Sequence, residues 1–184
     1  VGQREDVARV YIPFTLSSTD TVNVTLNNSN PSALSVSPAT LMILPGNNSA
    51  YFTVVGEGIG TSQLQASADG FENSNPASTV VGTPGLYVGG PTTGTTGGSG
   101  TFYVYSQDQD GTYHDVNQNL TVTLTVDNAS VADFGGQSQT TIVIMEGNYY
   151  QSVTLNYRSA GSVMITATAT GYTEGQASTS ISDP

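Results

Sequence analysis

Three carboxylates and the chain's single histidine fall within eight residues, at Asp108, Asp110, His114 and Asp115. Acids at i and i+2 followed by Gly111 resemble the opening of a calcium loop, where hard oxygen ligands gather on a tight turn. The full loop closes on a bidentate Glu, and none stands at that spacing, so an acidic solvated hairpin is the competing reading. His114 has no Gly-x-Ser-x-Gly elbow to serve as base for a nucleophile. The remaining acids scatter over turns and outer faces, unlike a glycosidase pair. The expectation is therefore a non-enzyme, with calcium at Asp108, Asp110 and Asp115 the only cofactor to test.

Two further sets of residues could bind or be modified. Tyr11, Tyr103 and Tyr105 point outward on strands, and Tyr149-Tyr150 sits on a turn. Aromatic rings on a sheet can stack on sugars or on another protein. Tyr is also a good strand residue, and packing between domains would use the same rings. Five Asn-x-Ser/Thr sequons, at Asn23, Asn27, Asn47, Asn119 and Asn128, lie at outward positions or turns, where a glycosylating host would reach them.

Composition excludes several partners. The net charge is −11, with no Lys and only Arg4, Arg9 and Arg158 as fixed cations. Phosphate recognition needs clustered cations, so nucleic acid is not a partner, and an anionic lipid surface is disfavoured for the same reason. No apolar run approaches the roughly 20 residues of a spanning helix, so no membrane insertion is expected. The absence of Cys removes disulfides and thiolate metal sites, and the absence of Lys removes Lys–Asn isopeptide crosslinks.

The elements that would carry these residues are strands. Hydrophobic residues make up 36% of the 184 positions, with Thr, Ser, Gly and Asn abundant. Period-two alternation runs through Val7–Phe14, Thr21–Leu26, Thr61–Asp69 and their later counterparts, with Gly, Pro and Asn clusters between. No stretch carries a 3.6-residue period. In Val7–Phe14 the inward set is Ala8, Val10, Ile12 and Phe14. Two sheets packed face to face would bury Phe52, Val54, Leu64 and Ala66 in the first copy, and Val153, Leu155, Ile165 and Ala167 in the second.

Those copies are explicit. Thr40–Phe71 returns as Thr141–Tyr172 at an offset of 101 residues. The chain thus reads as all-β, two tandem β-sandwiches over residues 1-83 and 84-184, with strands and turns at sandwich spacing. Aligning Tyr11 with Tyr103, and Val10 and Ile12 with Phe102 and Val104, places a six-residue insertion within the loop Asp108–Asp115. It also leaves Gly85–Thr92 without a counterpart, so the first domain reads as lacking its strand A. Either the segment begins within a domain, or a strand from another copy of the protein completes it.

The stretches VNVTL-NNSNPSALSV and VTLTV-DNASVADF, each followed by a Gly-turn and an Ala-x-Ala-x-Gly-Phe/Tyr close, resemble bacterial immunoglobulin-like repeats of cell-surface and adhesin proteins. The turn at Asp108–Gly111 is similar to the turn of invasin- and intimin-type repeats. This resemblance covers nearly the whole chain and implies an extracellular spacer, in contact with neighbouring domains of the same chain through a short joint at Val81–Pro84. It supplies no catalytic residues. Two other functions remain open: a structural subunit of a surface filament or virion decoration, assembled by strand donation, and a carbohydrate-binding accessory module of a secreted enzyme. A surface protein or a glycan would be the partner.

Overall fold

The computed structural model describes every residue from Val1 to Pro184 and contains strands and turns but no helix. The chain divides into two compact units, Val1–Gly82 and Thr83–Pro184. In the first lie β1 (Gln3–Tyr11), β2 (Val22–Asn28), β3 (Leu34–Ser37), β4 (Thr40–Ile43), β5 (Ser49–Gly56), β6 (Gly60–Ser67) and β7 (Ala77–Val81). The second opens with β8 (Gly85–Gly89), β9 (Thr93–Thr95), β10 (Ser99–Gln107), β11 (Asp115–Val116) and β12 (Leu120–Val126). It closes with β13 (Ala132–Asp133), β14 (Gln139–Ile144), β15 (Tyr150–Tyr157), β16 (Gly161–Thr168) and β17 (Gly175–Ser182).

Each unit is two sheets around one core. In the second, β13-β15-β10-β8 faces β14-β12-β16-β17-β9. In the first, β1 and β3 flank β5, opposite β4-β2-β6-β7. The duplicated register is the same in both copies: Leu26 lies opposite Ala66 and Leu124 opposite Ala167. Alternation drives this arrangement. In β10, Phe102 and Val104 are fully buried while Thr101 and Tyr103 face out, because successive side chains leave opposite faces of a pleated strand.

The ladder corrects the alignment of the opening strands. Tyr11 lies opposite Ser49 and Tyr105 opposite Tyr150, and Ser49 and Tyr150 are counterparts at the 101-residue offset. Tyr11 therefore corresponds to Tyr105, and Val10 to Val104, two residues further than the sequence alignment placed them. With β2 and β12 offset by 98 and the opening strands by 94, the loop insertion is four residues, not six. Phe14 is a second correction. It lies beyond the end of β1, 53% exposed and stacked on Phe71 at 6.0 Å, and Leu16 takes a buried place instead. Pro13, which has no N–H to give the ladder, stands just past the strand end.

The two cores are unequal. Six residues, among them Ile12, Leu26 and Ile43, form the first buried cluster, against eighteen in the second. Phe52, Val54, Leu64 and Ala66 are only half-buried, whereas Leu155, Ile165 and Ala167 are fully enclosed and Val153 packs against them. Part of the second core comes from β8, whose Leu86 and Val88 are buried. The rest includes Tyr157, whose ring lies so close to Gly94, Gly98 and Gly100 that a methyl at Gly94 would overlap it.

An ion pair ties the far end of that sheet. Arg158 donates from Nε to Asp133 Oδ2 at 2.6 Å and from a terminal nitrogen to Oδ1 at 2.9 Å, and the Gly136 N–H adds a third bond at 2.8 Å. Arg158 first, then Gly136, hold the Asp133 carboxyl at about 2 despite its burial.

Because the folded value lies below the unfolded one, this contribution is complete above about pH 4 and fades as pH falls toward 2. The second unit should lose thermal stability over that window, and Asp133→Asn should flatten that part of the profile in melts at stepped pH. Gly94→Ala should lower the second unit's stability by about 1–3 kcal/mol through overpacking. In calorimetry its effect should be confined to the transition of the second unit.

Candidate functional site

The outer face of β8, β10 and β15 gathers six tyrosines. Pairing places Tyr105 between Tyr87 on one side and Tyr150 on the other, and Tyr103 between Gly89 and Ser152. Inward Leu86, Val88, Phe102, Val104 and Leu155 force this outcome, since burying one face of each strand presents the other. Tyr113, carried by the inserted loop, and Tyr149, carried by the turn before β15, complete the set. Gly89 leaves room for the Tyr87 ring: a Cβ there would come within 3.1 Å of it.

Tyr105 is the hub. Ring centroids lie 4.6 Å away for Tyr113, 5.7 Å for Tyr150, 5.9 Å for Tyr87, 6.2 Å for Tyr149 and 6.3 Å for Tyr103. Tyr113 and Tyr149 are nearly parallel, at 8° and 6.1 Å. These separations fall in the attractive range for aromatic pairs, worth about 0.5–1.5 kcal/mol each beyond area burial. The five surrounding rings keep between 39% and 44% of their surface exposed. Burial of Tyr105, with the neighbouring phenols adding to it, raises its pKa above the ordinary value.

The acidic loop beside this face is a self-contained turn. Asp108 Oδ1 accepts from the backbone N–H of Asp110 at 2.9 Å and of Thr112 at 2.8 Å, and Oδ2 lies 3.3 Å from His114 Nε2. Burial pushes the Asp108 carboxyl up, but the two N–H donors and His114 outweigh it and hold the pKa below its ordinary value. The structure does not bring Asp108, Asp110 and Asp115 together as ligands. No group of three His, Asp or Glu side chains anywhere in the chain is placed to hold a metal ion. The physical reason is local: Asp108 is occupied in closing the turn, Asp110 is exposed at its tip, and Asp115 belongs to β11.

Of the three tyrosines singled out in the sequence, Tyr103 and Tyr105 join the cluster. Tyr11 belongs to the first unit, where the Arg9 guanidinium sits 5.8 Å from its ring centroid. Tyr87 and Tyr113 were not singled out. The alternation of Gly85–Gly89 carries the signal for Tyr87, because inward Leu86 and Val88 turn it out; nothing in the sequence foretells the stacking of Tyr113. All five sequon asparagines are exposed. Asn27 Nδ2 donates to Ser67 Oγ at 3.2 Å, and Asn119 Oδ1 accepts from the Glu146 N–H at 2.9 Å.

No protein-family profile matches the chain, and no curated protein sequence matches it. Among solved structures it is similar to domains 4 and 5 of the S-layer protein SbsC, at 20% identity over 92% of this chain and 74% of that one, with a TM-score of 0.39. It is also similar to the C-terminal 282-residue fragment of intimin, solved with the intimin-binding domain of its translocated receptor. That match is 11% identical, covers 96% of this chain and 63% of the fragment, and has a TM-score of 0.33. A glycosyl hydrolase family 2 member from Bacteroides cellulosilyticus is similar at 11% identity over 87% of this chain and 21% of that chain, with a TM-score of 0.45. The β-sandwich architecture rests on the strand order and register described above. These likenesses assign no role to any residue.

The clustered phenols give a measurable signature. In a spectrophotometric titration two tyrosines, Tyr105 and the half-buried Tyr172, should ionise above the ordinary phenol value, and one of these two steps should vanish in Tyr105→Phe. Tyr113→Ala, which uncovers the Tyr105 ring, should move that step back toward the ordinary value.

Proposed function

We propose that Val1–Pro184 is a non-catalytic structural segment of a larger extracellular surface or adhesin-type protein, spacing a functional region away from a surface. The observation that supports this most directly is how the second unit ties its two ends. Near its start β9 runs parallel to β17, its last strand, through Thr93 with Ser180, Gly94 with Ile181 and Thr95 with Ser182. Backbone bonds of 2.9 Å flank the ladder, from Ser180 N–H to Thr92 C=O and from Thr96 N–H to Ser182 C=O. When the two ends are drawn apart, parallel terminal strands slide along each other, so all of these bonds must yield together. An antiparallel hairpin drawn from its open end yields one bond at a time. The arrangement suits a domain that carries tension.

The first unit lacks this tie. Its β7 pairs with β6, its β1 pairs within the unit with β5, and the Val1 amino group makes one 3.1 Å bond to the Gly82 carbonyl. Its smaller buried core points the same way. A spacer built from these two units would extend in steps, the first yielding before the second.

Single-molecule pulling on the chain between its termini checks this reading. Two unfolding events should appear, with length increments in the proportion of 82 to 102 residues and the longer at the higher force. Forced unfolding is governed by the unfolding barrier, so removing one clamp bond should register there. Thr96→Pro deletes the N–H that bonds Ser182 and should lower the second force while leaving the first unchanged. Equal forces, or a second force indifferent to Thr96→Pro, would refute the load-bearing reading of the fold.

A further inference from the structure

We propose that the tyrosine face of the second unit is a docking surface for a cationic, arginine-bearing segment of another protein. The inference is independent of the spacer reading, since it concerns the outer face of β8, β10 and β15 and not the clamp between β9 and β17.

The first support is composition and exposure. Tyrosine is enriched at the centres of protein interfaces because it presents a large, amphipathic surface with only two side-chain torsions to restrain. Here five rings, each about two-fifths exposed, surround a sixth that holds them in place. Their mutual contacts order them before any partner arrives, which lowers the entropy cost of binding.

Charge selects the partner. Within Thr83–Pro184 eight Asp and Glu face a single cation, Arg158, a net charge of −7. Arg158 is engaged by Asp133 through Nε and one terminal nitrogen, and the chain has no Lys, so the one cation of this unit is already paired. Asp110 is exposed at the tip of the loop whose Tyr113 stacks on Tyr105. Ring faces attract a cation, phenol oxygens accept from it, and a guanidinium is a pure donor that also stacks. A neutral sugar would gain nothing from the surrounding negative charge.

The first unit shows the same preference satisfied internally. Tyr11 occupies the register position of Tyr105, and Arg9 that of Tyr103. The Arg9 guanidinium lies over the Tyr11 ring at 5.8 Å. In the second unit a tyrosine stands at the position of the arginine, which leaves the rings without a cation from their own strand.

Area and charge both argue against a second copy. Five rings about two-fifths exposed offer on the order of 400–500 Å² of tyrosine surface, against about 800 Å² per partner in a stable interface. A symmetric pair would also bring together two chains of −11 each. A short segment fits the patch; a folded twin does not.

Titration calorimetry on the intact chain at physiological salt, with octa-arginine, octa-lysine and neutral cellohexaose as probes, tests the assignment. Octa-arginine should bind more tightly than octa-lysine. The double variant Tyr103→Ser/Tyr149→Ser leaves the net charge unchanged and should weaken octa-arginine roughly tenfold. Tyr149→Phe, which keeps the ring, should stay within about twofold and guards against a folding artefact. Unchanged affinity in the double variant would reduce the binding to net charge and overturn the proposal. Cellohexaose binding lost in the double variant would reassign the face to glycans, and dimerisation in sedimentation lost in that variant would reassign it to self-association. Either result overturns it as well.

Discussion

The inward packing of Phe102, Val104 and Leu155 against Val122, Leu124 and Ile165 is the constraint on which the second unit rests. Each strand has only two faces, so fixing one against the opposing sheet fixes what the other presents. Tyr103 and Tyr105 are outward because Phe102 and Val104 are inward, and Tyr87 is outward because Leu86 and Val88 are inward. Strand pairing then sets which outward residues meet. A slip of one residue in β10 would bury two phenols and expose two hydrophobic side chains, so core packing and the tyrosine face specify the same register.

That logic also marks what the sequence could show. Alternation reveals in and out along one strand, and the longer strands were legible from it, whereas the two- and three-residue strands β9, β11 and β13 are too short to alternate. It cannot distinguish registers that differ by two, because both keep the same faces buried. Hence Tyr11 was paired with Tyr103 when the ladder pairs it with Tyr105. The tyrosine cluster was partly legible for the same reason. Tyr103 and Tyr105 are neighbours along one strand, whereas Tyr87, Tyr113 and Tyr149 reach Tyr105 only through cross-strand pairing and loop closure. The acidic loop failed differently: proximity in sequence suggested shared ligation, but the hydrogen bonds of a tight turn engaged Asp108 first.

One short segment serves both the core and the surface of the second unit. Residues 85 to 95 supply β8, which buries Leu86 and Val88, and β9, which pairs with β17. The neighbouring glycines let the Tyr157 ring close that corner, since side chains at Gly94 or Gly100 would occupy its space. In the first unit the equivalent inner residues, such as Val54 and Leu64, remain half-buried. Apolar burial contributes roughly 25 cal/mol per Å², so each inner residue that is fully enclosed adds to the second unit's core. The same segment contributes Tyr87 to the outer face, linking the completeness of the core to the surface it displays.

The balance of charge explains why a phenol-rich face persists on so acidic a chain. Carboxylates keep the rest of the surface soluble by mutual repulsion. Six neutral rings form a gap in that field, and an exposed aromatic patch of this size is ordinarily an aggregation hazard. Like-charged copies repel at long range, which works against the homotypic route. A cationic partner meets no such barrier and is drawn in by the field that excludes the twin. Strong negative charge around a neutral aromatic centre thus discriminates between partners, favouring one sign of charge while its own kind is held off.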